Sequence, residues 1–171
     1  MRGDTGERER QAGRFSLGWL KRWIYRGDRP DATARLLNRF WADRYAAGGF
    51  LSRNRDVVLE VPGRSSGRVI EVPLVLTDLD GQWYAVSMLG AHANWVANVR
   101  AAQGRAVIRH GQPRAVQLEE VPVEQRPRIL KRYLGLAPGA RPHIPLDRRA
   151  PLTEFAEIAP DYPVFRIVRA D

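Results

Sequence analysis

Apolar residues fall along this chain in two rhythms. Over residues 14–25 they sit at Phe15, Leu17, Trp19, Leu20, Trp23 and Ile24, and over residues 31–47 at Leu36, Leu37, Phe40, Trp41 and Tyr45. That spacing gathers them on one side of a helix. Two amphipathic helices are predicted, the second opened by Asp31 and stopped by Gly48-Gly49. From residue 57 the rhythm shortens. Residues 57–61 predict a buried strand, and residues 69–77 a second one that Pro73 interrupts or shifts to an edge. Asp80-Gly81 is a tight hairpin turn into a third strand over residues 82–88. A short helix follows over residues 94–102, then a hairpin of residues 105–110 and 114–121 around Gly111-Gln112. Residues 123–136 are helical by the spacing of Ile129, Leu130, Tyr133 and Leu134. A Pro/Gly-rich loop to about residue 150, a helix over 153–158 and a last strand over 163–168 complete the chain.

Helix, helix, then about six strands with inserted helices is not the regular alternation of a doubly wound sheet. The order predicts an α+β, mainly β fold: a small antiparallel barrel with N-terminal helices and further helices packed on its rims. Residues 1–13 are expected to be a flexible tail, 14–50 the N-terminal helices and 51–171 the barrel domain.

Composition narrows the function. The chain has 171 residues, 44% apolar and 27% charged, as a globular domain has. It has no cysteine, which excludes disulfides, thiolate nucleophiles and zinc–sulfur sites. Residues 1–14 are polar and of mixed charge, unlike a signal peptide. No stretch approaches the ~20 apolar residues of a membrane span, so a cytoplasmic protein is expected. The net charge is +9, concentrated at the front: residues 1–55 carry 13 basic and 6 acidic side chains. With Trp19, Trp23 and Trp41 among them, residues 14–45 suit peripheral contact with an anionic membrane or packing in a homodimer, ranked above nucleic acid.

Two segments carry candidate chemistry. In Pro62-Gly63-Arg64-Ser65-Ser66-Gly67-Arg68, glycine turns expose amides beside two arginines and two hydroxyls, as phosphate or carboxylate recognition requires. An ordinary solvated hairpin loop fits the same residues. In the stretch from Ser87-Met88-Leu89-Gly90 to Arg100, a strand gives way to a small-residue turn and then a helix. A helix start offers unpaired amides to an anion, and Gly90 lets backbone approach a planar ring. Trp95 and Val99, spaced i and i+4, suit the core equally, and Asn98 suits a helix surface. His92, His110 and His143 have no partners at metal-ligand spacing.

Together these segments resemble a known family. Gly63 to Arg68 followed by Val72-Pro73-Leu74, then Asn94-Trp95-Val96-Ala97-Asn98-Val99-Arg100, then the ending Ala159 to Ile167, resemble the deazaflavin (F420)-dependent nitroreductase family of split β-barrels. The resemblance implies a flavin/deazaflavin-type split barrel that binds coenzyme F420, with FMN as the alternative coenzyme of related barrels. It implies hydride transfer to a small apolar acceptor such as a quinone, nitro compound or enone. Coenzyme contacts are implied for Arg64, Ser65, Ser66, Gly67 and Arg68, for Pro73 and Leu74, for Ser87, Met88, Leu89 and Gly90, and for Trp95, Asn98, Val99 and Arg100. Ser87 is implied at the hydride-transfer face, as the catalytic hydroxyl that orients a substrate oxygen. Ser65, Ile70 and Val75 stand where many relatives have lysine, arginine and tyrosine. Non-catalytic coenzyme binding, or a membrane or partner interaction through the front helices, is the reading from a different class.

Overall fold

Alternating β-branched and polar residues build six strands: β1 (Asp56–Pro62), β2 (Val69–Leu79), β3 (Gln82–Val86), β4 (Arg105–His110), β5 (Gln112–Glu120) and β6 (Val164–Arg169). In the computed structural model, which describes residues 55–170, they close into a barrel in the order β1-β2-β3-β6-β5-β4. Every neighbouring pair is antiparallel. The tail and helices expected over residues 1–50 lie outside the described residues. Among the described residues three helices accompany the barrel: α1 (Asn94–Ala101), α2 (Arg126–Leu136) and α3 (Leu152–Ile158). No helix among the described residues is long and apolar enough to cross a membrane.

Pleating splits the apolar residues between two cores. Val57, Leu59 and Val61 of β1 point into the barrel, with Leu76, Ala85, Val116, Leu118 and Phe165. From α1, Trp95, Val96 and Val99 join the same cluster. The second core lies outside the barrel wall, where Val75, Val86 and Val164 meet Ile129, Leu130, Tyr133 and Leu134 of α2 and Phe155 of α3. This explains the consecutive buried residues Val75-Leu76-Thr77: β2 is covered on both faces there.

Thr77 shares the outer face with Val75, and its hydroxyl is fully buried with no partner among the described residues. An unpaired buried hydroxyl is unfavourable. Thr77→Val is therefore expected to stabilise the fold by about 0.5–1 kcal/mol, read as a raised urea midpoint. A lowered midpoint would show that the hydroxyl has a partner.

Some boundaries differ from the sequence expectation. Pro73 neither interrupts β2 nor ends it. The bonds Leu76 N–H to Arg55 O (2.8 Å) and Gly63 N–H to Arg68 O (2.7 Å) place the hydrogen-bonded pairs at odd positions of β1. Val58↔Pro73 falls between them, and pairing of β2 with β3 begins only at Leu76. The missing N–H of Pro73 thus breaks no ladder bond. Asp80 (φ 50°) and Gly81 (φ 76°) form the expected primed turn. The strand expected to reach residue 88 ends at Val86, the strand expected from residue 114 begins at Gln112, and the helix expected from residue 123 opens as a short 3-10 turn.

Candidate functional site

The loop from Gly63 to Arg68 joins β1 to β2 and is held in shape by its own backbone. Gly67 N–H donates to Gly63 O (2.7 Å), and Arg68 N–H donates to Ser66 Oγ (3.2 Å). Ser65, Ser66, Gly67 and Arg68 are exposed. The amides of Ser65 and Ser66 have no partner among the described residues. Arg64 turns sideways onto α1. Its backbone N–H donates to Asn98 Oδ1 (3.2 Å) and its Nη1 to the same oxygen (3.1 Å), with longer contacts of 3.4 Å to Asn94. Asn98 is buried, so it is a fixed acceptor rather than a surface amide.

That anchor is itself testable. Asn98→Ala is expected to free the loop, raising amide hydrogen exchange over residues 63–68, and to lower stability by about 1 kcal/mol. Unchanged exchange in the loop would contradict the anchoring role.

Immediately before α1, the turn after β3 is locked in place. Ser87 N–H donates to Pro163 O (3.0 Å), Ser87 Oγ donates to Gly90 O (2.7 Å), and Gly90 N–H returns to Ser87 O (3.2 Å). Ser87 is buried and spends its proton inside this turn. Gly90 has φ +81°, and a Cβ there would lie 3.3 Å from Asp161 O. The turn is thus pressed against the 3-10 turn Ala159–Asp161. An open cleft of about 330 Å³ results, walled by Met88, Leu89, Gly90, Ala91 and His92 on one side and by His143, Asp161 and Tyr162 on the other.

The remaining sequence candidates are placed as follows. Pro73 and Leu74 are half-buried on β2, and Leu74 packs against the barrel core. Trp95 and Val99 point into the barrel, Trp95 with its ring centroid 5.5 Å from that of Phe165; they seat α1. Arg100 is paired with Glu120 through Nε (2.9 Å) and Nη2 (2.7 Å). Of the departures noted above, Ile70 packs on the barrel core and Val75 lies in the cluster beneath α2.

Two residues that no motif suggested complete the region. Glu120, at the end of β5, also accepts from Arg126 Nη2 (3.2 Å). Arg126 is buried and donates Nε to Val121 O (2.8 Å) and Nη1 to Ala159 O (3.2 Å). One carboxylate therefore links α1 to the turn that walls the cleft. The hydrogen bond from Arg100 holds Glu120 below the ordinary carboxylate range, while burial lowers the pKa of Arg126. The only sequence signal was an acidic pair, Glu119-Glu120, at a strand end.

This arrangement fits an anionic, planar coenzyme. The exposed loop offers two amides and the Arg68 side chain, no side chain caps α1, and the Gly90 backbone borders a cleft of ring size. Among the described residues no cluster of metal-ligating side chains occurs.

Comparison with known proteins bears on the same region. The family model described as F420H(2)-dependent quinone reductase matches residues 34–149. No curated protein matches the chain. Among solved structures, the protein Atu2129 of Agrobacterium tumefaciens, of unknown function, is similar with a TM-score of 0.50 and 14% identity. That likeness covers 68% of this chain and 49% of Atu2129, so the chain spans about half that protein's length, and it shows the fold alone. An F420-H2 dependent reductase (FDR-A) is 23% identical with a TM-score of 0.43, covering 67% of this chain and 94% of its own. Protein Rv2991 of Mycobacterium tuberculosis is 16% identical with a TM-score of 0.45, covering 74% and 80%.

Proposed function

The chain belongs to the F420H(2)-dependent quinone reductase family, and from its site we propose that it passes a hydride from reduced F420 to a quinone seated in the cleft beside Gly90. The observation that carries this reading is continuity. The anion-type loop is pinned by Arg64 to α1, and the turn directly before α1 forms one wall of the cleft. A coenzyme with a charged tail and a flat redox ring has adjoining places for both.

Bound F420 supplies the hydride donor; the protein supplies position and electrostatics. Arg68 and the Ser65 and Ser66 amides would hold the anionic tail, Gly67 shapes the turn that presents them, and Arg64 keeps that loop against α1. Met88 to Gly90 would border the ring and Pro73 would offer it an apolar surface, while Leu74 packs from the other face of β2 against the barrel core. Ser87 would work through Gly90, whose carbonyl its hydroxyl holds in place at the cleft wall. Trp95 and Val99 act from beneath by seating α1. Arg100 is shared with Glu120, so its charge reaches the tail partly neutralised.

The acceptor class is tested by mixing the protein with reduced F420 and, in turn, menadione, a nitroaromatic and an enone. Coenzyme oxidation is followed by the return of deazaflavin fluorescence. Menadione is expected to be reduced fastest. Turnover of the nitro compound alone would overturn the quinone assignment and keep the coenzyme.

A further inference from the structure

A quinone that accepts a hydride is left as a hydroquinone monoanion, one proton short of product. We propose that His143 donates that proton, an inference that rests on the quinone reading above. Four side chains capable of acid–base chemistry line the cleft: His92, His143, Asp161 and Tyr162. The Tyr162 hydroxyl donates to His143 O (2.9 Å), and burial, then Asp161, raises its pKa above the ordinary 10.0. It keeps its proton at neutral pH. An ionised carboxylate only accepts hydrogen bonds. Imidazole is the side-chain type that both carries and releases a proton near neutrality.

Of the two histidines, His143 is the one the fold holds still. Its N–H donates to Ala140 O (3.0 Å), its carbonyl is the one Tyr162 grips, and the next residue, Ile144, is fully buried in the core. His92 sits in the opposite turn without such ties among the described residues. His143 is exposed and lines the cleft. His92 faces it across the cleft, and Asp161 and Tyr162 lie beside it. On its own segment, Arg141 reaches Leu134 O (3.4 Å), and Asp147 accepts from the Arg149 N–H (2.7 Å).

The step balances without a further reactant. The hydride brings two electrons and one hydrogen to the quinone, and the His143 imidazolium N–H bond breaks as the hydroquinone O–H bond forms. The neutral imidazole then takes a proton from solvent, which receives one in turn when the reduced coenzyme is oxidised.

The full-length protein is compared with His143→Gln and His92→Gln, using reduced F420 and menadione across pH 5–9. His143→Gln is expected to lose kcat on the order of 100-fold, with KM for menadione changed only a few-fold, and to flatten the wild-type pH dependence of kcat. His92→Gln, which alters the opposite wall of the cleft, is expected to lose less kcat than His143→Gln and to keep the pH dependence. Without coenzyme, menadione is expected to shift the His143 imidazole resonances in the NMR spectrum. Unchanged kcat and pH profile in His143→Gln, or loss confined to His92→Gln, would overturn the assignment while leaving the quinone reading standing. Wild-type protein that neither binds F420 nor reduces menadione would overturn both.

Discussion

Replacing Arg64 and Arg68 together by alanine is expected to weaken F420 binding about 100-fold, equivalent to about 2.7 kcal/mol. Each charge-assisted hydrogen bond to an anion contributes about 1.5–3 kcal/mol, and the tail of the coenzyme carries several negative groups. The two arginines act differently. Arg68 stands on the exposed loop, while Arg64 ties that loop to Asn98 and Asn94. The double variant thus removes charge and loosens the loop at once. Both side chains are on the surface, so the barrel is expected to melt within a few degrees of wild type by circular dichroism. Salt supplies a second check: raising it should weaken wild-type binding more than that of the variant, since screening lengths shrink to about 3 Å at 1 M. Equal affinity in the two proteins would move the coenzyme tail away from this loop.

The largest effect on stability is expected at Glu120. Its carboxylate is the one acid hydrogen-bonded to buried Arg126 among the described residues, and it also holds Arg100. Glu120→Ala leaves a buried guanidinium with only carbonyl partners, at a cost of about 2–3 kcal/mol. The Arg100 half of the pair adds little, because that side chain is 48% exposed and screened by water. For a chain of this size the loss corresponds to roughly 5–10 °C in Tm. Glu120→Gln keeps an acceptor and should lose less. The pH dependence has a definite sign. The folded pKa of Glu120 lies below its ordinary 4.5, so its contribution is present above that value and is lost as pH falls through the lowered one. Asp78 behaves alike: hydrogen bonds from Arg55 and then Arg132 lower it from 3.8 to about 2. Glu60 works the other way, since burial raises its pKa and protonation relieves that strain. Wild-type Tm is expected to decline below about pH 4, with a shallower slope in Glu120→Gln. A Tm in Glu120→Ala equal to wild type would show that Arg126 does not depend on the pair.

What the sequence made legible was local. The Asp80-Gly81 turn follows from two residues that tolerate positive φ, and the strands follow from their own alternation. The Gly63 to Arg68 loop and the Ser87 to Gly90 turn were both picked out by glycines next to chemistry. What escaped depended on which strand lies beside which. Pro73 is harmless only because its N–H side has no partner strand, a fact of register. Asn98 reads as a surface amide until the loop 34 residues earlier folds onto it. Arg100 stands only as an implied coenzyme contact until β5 brings Glu120 alongside. The cleft joins residues 88–92 to His143 and to Asp161-Tyr162, which share no periodicity with them.

Whether this barrel holds F420 in its anion loop and along the Gly90 cleft is decided by fluorescence titration of the protein with F420 and, in parallel, with FMN. Saturable F420 binding that weakens with salt is expected, with no comparable binding of FMN. Saturation by FMN alone would contradict the coenzyme assignment, and saturation by neither would contradict the site itself.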